Sequence, residues 1–330
     1  MPFLNKFIPT PTLRICMLGP RAVGKTTVLT SVFSDTQDDL AGTGLFFRYK
    51  EGSESAKLNN YKKQLGMCIE NGDPSQLPAT EDISKFEFEV GYSSEVKTNV
   101  LVKDYPGEYL TDDSKQHHVI EFLSESNVVL IAIDTPYLME ADGKYNSEKN
   151  KPEVVTSFIK NNPESFANKL ILLVPLKCER YAHDKRMDDV AKRVKEVYSD
   201  LILFCKEKNV ASVVAPILTL GGIEFDAMKS SNDFVGISTI PEYRMYKKDP
   251  KYKPRFCVQP MYYLMLYAAS YSEWAKDHLA GGIWKKIQVF IARLFTSDEK
   301  FKTALREMRK NLLTDKLGYQ ILTTNLIFKF

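Results

Sequence analysis

Short unbroken apolar runs alternate along this chain with longer stretches in which apolar residues recur every three or four positions. The runs at 13–18, 128–133, 170–174 and 213–217 have the length of strands buried within a sheet. Between the last three lie helix-capable stretches at 152–166 and 187–208, and strands joined through helices form a parallel sheet with helices on its faces. Residues 86–90 (Phe-Glu-Phe-Glu-Val) alternate strictly, 91–94 supply a glycine turn, and 98–102 resume as strand. That is a hairpin, and it gives the sheet an antiparallel edge. The pattern predicts a three-layer α/β domain with a mostly parallel sheet.

The remaining segments carry weaker patterns. Residues 35–78 are polar with one helix-like stretch at 56–70, and read as an insertion. Residues 223–256 are rich in Tyr, Lys and Pro, with Pro241, Pro250 and Pro254 breaking any regular element, and read as a long surface loop. A last domain helix is expected over 260–276, with Pro260 in its first turn. Beyond it, Trp284, Ile287, Phe290, Ile291 and Leu294 share one helical face, with Lys285, Lys286, Gln288 and Arg293 largely off it, and a second basic helix is expected over 299–313. The organisation expected is therefore a domain over 1–276 with insertions at 35–78 and 223–256, followed by an amphipathic, basic helical tail over 277–330. Such a tail packs on its own domain, or meets a partner protein or a membrane surface.

Composition narrows the class. Of 330 residues, 44% are hydrophobic and 26% charged, as in globular proteins with a full core. The net charge of +3 is too small to argue for nucleic acid, which is not expected as a partner, and it is uneven: from Lys276 to Phe330 eleven Lys or Arg stand against five Asp or Glu. Cys16, Cys68, Cys178, Cys205 and Cys257 lie far apart with no C-x-x-C pair, which fits reduced thiols in a cytoplasmic protein. The first residues lack the apolar core of a signal peptide, and no apolar run reaches eighteen residues, so neither secretion nor a membrane span is expected. His117 and His118 have no Cys or carboxylate at metal-ligand spacing and read as part of a solvated helix.

The chemistry concentrates in two motifs. Gly19-Pro20-Arg21-Ala22-Val23-Gly24-Lys25-Thr26 fills the pattern G-x-x-x-x-G-K-[ST] between a strand and a helix, the setting in which such a loop cradles phosphates. Gly19 and Gly24 let the loop wrap closely, and the backbone N–H groups from Arg21 to Thr27 point inward with the helix dipole behind them. Lys25 then reaches the β and γ phosphates, and Thr26 ligates Mg²⁺. Asp104-Tyr105-Pro106-Gly107 follows the second hairpin strand, where Asp104 can hold the Mg²⁺ water shell and Gly107 can offer its N–H to a terminal phosphate. Glu108 comes next, positioned to orient water.

Together, G-P-R-A-V-G-K-T and D-Y-P-G-E resemble the switch-type GTPases, and among them a bacterial double-GTPase group, over roughly residues 14–217. The resemblance implies a nucleotide-gated switch with slow triphosphatase activity, Mg²⁺ as cofactor, GTP ahead of ATP, and a regulator or partner protein. It asks for a first-switch threonine on Mg²⁺, for which Thr36, Thr43 and Thr80 are candidates and Thr80, just before the hairpin, is the best placed. It also asks for [NT]-K-x-D after the fifth strand, where this chain has Leu176-Lys177-Cys178-Glu179. Lys177 would pack on the purine, Glu179 would accept from guanine, and Leu220, in Thr219-Leu220-Gly221-Gly222, would offer backbone to the base. Three departures matter: Leu176 cannot donate to the loop, Glu108 replaces a water-positioning Gln, and Arg21 replaces a glycine. Rival readings are a nucleotide-stabilised scaffold that does not turn over and a P-loop ATPase; oligomeric state is left open.

Overall fold

Strand β1 (Thr12–Leu18) shows how the layers arise: Leu13, Ile15 and Met17 enter one apolar cluster, while Cys16 and Leu18 enter another on the opposite face. The computed structural model describes residues 12–40, 44–50, 55–72, 82–166, 169–233, 236–248, 250–264, 267, 303 and 317–325. After β1 come α1 (Lys25–Leu40), β2 (Leu45–Tyr49), α2 (Ser55–Glu70), β3 (Ser84–Tyr92), β4 (Glu95–Asp104), a 3-10 turn (Gly107–Leu110) and α3 (Asp113–Glu125). Next are β5 (Val128–Asp134), α4 (Thr135–Met139), α5 (Asn146–Lys149), α6 (Pro152–Asn161), β6 (Leu170–Leu176), α7 (Glu179–His183), α8 (Met187–Val197) and α9 (Ser199–Glu207). The chain continues through β7 (Ala211–Val214), β8 (Ile223–Asp233), β9 (Gly236–Met245) and β10 (Gln320–Thr323).

Eight strands form one sheet in the order β10-β7-β6-β5-β1-β4-β3-β2. The five strands from β7 to β4 run parallel, β3 and β2 add an antiparallel edge beside β4, and β10 lies antiparallel to β7. Every residue of β5 and β6 is buried, as strands covered on both faces must be. One face packs against Val28, Leu29 and Val32 of α1 and Leu58 of α2. The other packs against Phe122 and Leu123 of α3, Val155, Phe158 and Ile159 of α6, Val190 and Val194 of α8 and Phe204 of α9. The three-layer α/β architecture with a hairpin edge is as the hydrophobic pattern predicts. Each such side chain contributes about 1.5–3 kcal/mol by leaving water.

Three segments differ from their sequence reading. Residues 223–245 are not loop: β8 and β9 pair as an antiparallel ribbon, with Phe225 opposite Tyr243 and Met228 opposite Pro241. Each strand of a two-stranded ribbon has a free edge, so Pro241 interrupts no inner ladder. The polar segment 35–78 holds a strand as well as a helix, because Leu45 and Phe47 turn inward and let β2 pair with β3. Finally, the sheet is not complete before residue 277, since β10 closes it. Thr323 bonds Ser212 Oγ at 2.7 Å and donates to the Val210 carbonyl at 2.7 Å, and Leu317 is buried. Four residues are too few for β10 to show a period of its own. Removing 277–330 therefore removes one edge strand of the sheet. Of the expected 260–276 helix, residues 260–264 and 267 are helical; the apolar face expected around Trp284 and the basic helix expected over 299–313 lie outside the described residues, except helical Thr303.

Candidate nucleotide site

Met17 lies opposite Asp104 in the parallel register of β1 and β4, so the loop after one strand and the carboxylate ending the other emerge side by side at the same end of the sheet. Gly19 and Gly24 adopt φ of +147° and +102°, a region that favours glycine. Gly24 has a second reason: a Cβ there would sit 2.8 Å from Leu176 Cδ1. Leu176, which cannot donate a hydrogen bond to the loop, instead packs against it. Ala22 takes φ +62°, while Val23 and Thr27 are buried beneath the loop. Lys25 is buried, and its ammonium donates to the carbonyls of Gly19 at 2.9 Å and Pro20 at 3.0 Å. Burial lowers its pKa, opposed by the charges of Asp104 and Glu108. Thr26 Oγ1 donates to Asp104 Oδ2 at 3.1 Å.

The segment after Asp104 is pinned at both ends. Tyr105 is buried beside Phe122 and Tyr109, and its hydroxyl donates to the carbonyl of His118 at 3.1 Å, tying the segment to α3. Gly107 lies flat on the phosphate loop: a Cβ there would meet Arg21 N at 2.1 Å and the Pro20 carbonyl carbon at 2.3 Å. Glu108 and Arg21 are exposed. Of the first-switch candidates, Thr36 falls within α1, and Thr43 and Thr80 lie outside the described residues.

The ends of β5, β6 and β7 bring the second group of residues together. Lys177 takes a left-handed φ of +57°, and its N–H donates to Thr219 Oγ1 at 3.1 Å. Its ammonium pairs with Asp134 Oδ2 at 2.5 Å and stands 5.9 Å from the Tyr243 ring of β9. Burial opposes that charge, but Asp134 and Tyr243 outweigh it and hold Lys177 above the ordinary lysine range. Glu179 is buried, with Oε1 accepting from the N–H groups of Leu220 at 2.5 Å and Gly221 at 3.3 Å. The Leu220 N–H expected to face a base thus bonds Glu179. Glu179 Oε2 and Asp134 Oδ1 are buried and, among the described residues, accept no hydrogen bond. The ribbon closes this end: the Tyr246 hydroxyl donates to the Gly221 carbonyl, and Glu224 meets His183 at 3.2 Å and Arg244 at 2.7 Å.

Sequence reading missed Asp134 and Tyr243, and placed Thr219 in the base loop without its bond to Lys177. Asp134 carries the same signal as Asp104, a carboxylate ending an apolar strand, whereas Tyr243 stood in a segment read as loop.

Burial raises the Glu179 carboxyl to about 7, against the N–H bonds it accepts. The folded chain therefore holds this proton more tightly than the unfolded chain, so the group's contribution to stability is full in acid and is lost as pH rises through about 7. Glu179→Gln, neutral at every pH, is expected to flatten the fall in melting temperature between about pH 5 and 7. Thermal melts with the wild-type slope would show that Glu179 is ionised throughout.

No family model and no curated protein matches the chain. Among solved structures it is similar to the S. cerevisiae Ski7 GTPase-like domain bound to GDP and inorganic phosphate, at 14% identity and a TM-score of 0.41. That match covers 82% of this chain and 51% of the other, so the chain spans about half the length of that structure. The signal recognition particle receptor SRb-GDP from Chaetomium thermophilum matches at 13% identity and a TM-score of 0.31, covering 64% of this chain and 90% of the other. The Ski7 GTPase-like domain bound to GTP matches at 16% identity and a TM-score of 0.36, covering 64% of this chain and 43% of the other.

Proposed function

We propose that this chain is a Mg²⁺-dependent switch that binds nucleoside triphosphate, prefers GTP, hydrolyses it slowly and acts with a partner protein. The observation that carries the reading is the convergence, at one end of the sheet, of a complete phosphate loop with buried Lys25, the Thr26 to Asp104 contact, and Gly107 laid on the loop. A hydroxyl and a strand-end carboxylate are hard oxygen donors of the kind Mg²⁺ takes. Thr26 and Asp104, with Thr80 from outside the described residues, would hold the ion, which when bound neutralises charge on the β and γ oxygens.

Guanine preference is supported by Glu179 Oε2, a buried acceptor suited to the adjacent N1–H and N2–H donors that guanine has and adenine lacks. Glu108 in place of a glutamine supports slow turnover, because a carboxylate beside the terminal phosphate repels it. The same residue, with Lys177 drawn to Asp134, favours a second reading, a scaffold that holds nucleotide without turnover. Membership of the double-GTPase group, a cytoplasmic location and recruitment through the basic tail belong to this proposal. Among the described residues no helix is long and apolar enough to cross a membrane.

Competition against labelled GTP tests the reading. GTP and GDP are expected to displace the label at least tenfold more effectively than ATP, the ratio that about 1.4 kcal/mol at Glu179 provides. Equal displacement by ATP would remove the guanine claim, and no binding of any triphosphate would remove the whole proposal.

A further inference from the structure

Beside the phosphate loop lies a cavity of about 290 Å³, lined among others by Arg21, Gly107, Glu108, Thr111 and Lys151. Lys151 comes from a different layer of the fold. It is the residue before Pro152, the first of α6, and takes a left-handed φ of +45° while its carbonyl receives the N–H groups of Val154 and Val155. The cavity therefore has a carboxylate, two cations and the positive end of a ten-residue helix around it. Arg21, Glu108 and Lys151 are exposed, and among the described residues none of the three side chains makes an ion pair. The same cavity is lined by Pro20 and Arg21 of the phosphate loop and by Gly107, which lies against their backbone, so this wall borders the place where the terminal phosphate would sit.

An ionised Glu108 is the weak point of a triphosphatase built on this loop, since it repels the group that water must attack. Two uncommitted cations on the same cavity answer that difficulty. Resting on the proposed function, we propose that Lys151, assisted by Arg21, is a positioning residue for triphosphate hydrolysis. Its charge offsets Glu108 and draws the carboxylate and its water toward the terminal phosphorus. In the step it supports, the water oxygen bonds to the terminal phosphorus and the bond to the bridging oxygen breaks, its electron pair staying on the diphosphate. The water proton passes to Glu108 and from there to solvent.

The test uses the full chain with Lys151→Gln, Lys151→Arg, Glu108→Gln and the Lys151→Gln/Glu108→Gln double variant. Single-turnover hydrolysis of GTP is read beside the affinities for GDP and for a non-hydrolysable GTP analogue. Lys151→Gln is expected to slow turnover about tenfold or more and to weaken the triphosphate analogue, with GDP affinity within about twofold of wild type. Lys151→Arg restores both, and with Glu108→Gln already present the loss shrinks to less than about threefold. A wild-type rate in Lys151→Gln, the same loss in the Glu108→Gln background, or equal losses of GDP and triphosphate affinity overturns the inference. If wild type hydrolyses GTP and Lys151→Gln does so equally, the inference alone fails. If wild type binds neither nucleotide, the proposed function fails and takes the inference with it.

Discussion

Lys25→Ala is expected to weaken triphosphate binding by two to four orders of magnitude. The ammonium is buried and held by the carbonyls of Gly19 and Pro20. On the proposed function it would exchange two carbonyl acceptors for phosphate oxygens without having to be drawn out of water. Contacts between charged partners are worth about 1.5–3 kcal/mol each, so losing two costs roughly 3–6 kcal/mol, or about 10²- to 10⁴-fold in affinity. Truncation to Ala also empties a buried volume, which can lower stability by itself. Lys25→Met keeps most of the stem and removes the charge, and should bind as poorly as Lys25→Ala while melting closer to wild type. Titration of both with labelled GTP decides the matter, and wild-type affinity in Lys25→Met would show that the loop does not hold the phosphates.

The features legible in the sequence are those set by local chemistry. A loop with glycine at 19 and 24 between an apolar strand and a helix has few other uses, and the structure gives both positions the positive φ that the motif needs. The all-buried strands β5 and β6 announce themselves as unbroken apolar runs. What escaped is what pairing across the chain decides. β2 and β10 are edge strands of five and four residues, whose place depends on a partner far along the sequence. The ribbon of β8 and β9 is largely polar beyond its first turns, so no alternation marks it. The register that sets Asp134 opposite Leu176 also brings Asp134 to Lys177, a pairing that spacing along the chain does not reveal. Leu176 illustrates the same point. Read alone it is a lost hydrogen-bond donor, whereas in the fold it is the apolar wall against which Gly24 closes the loop.

Gly107→Ala is expected to damage the site through backbone collision alone. Gly107 does not need glycine for its φ; it needs it for space, because the added methyl would lie 2.1 Å from Arg21 N, 2.3 Å from the Pro20 carbonyl carbon and 2.8 Å from Arg21 Cα. All three are backbone atoms, so no side chain can swing aside, and either the phosphate loop or the segment after Asp104 must retreat. Retreat is resisted on one side by Leu176 against Gly24 and on the other by Tyr105, held by His118. Overpacking of this kind costs about 1–3 kcal/mol, which should appear as a lower melting temperature. The displaced N–H of residue 107 would no longer meet a terminal phosphate, so triphosphate affinity should fall at least about tenfold, with a smaller loss for the diphosphate. Calorimetric titration with GDP and with a non-hydrolysable GTP analogue separates the two terms. Equal losses would mean that the methyl has only deformed the phosphate loop, and wild-type stability with wild-type affinity would mean that the two segments part freely in solution.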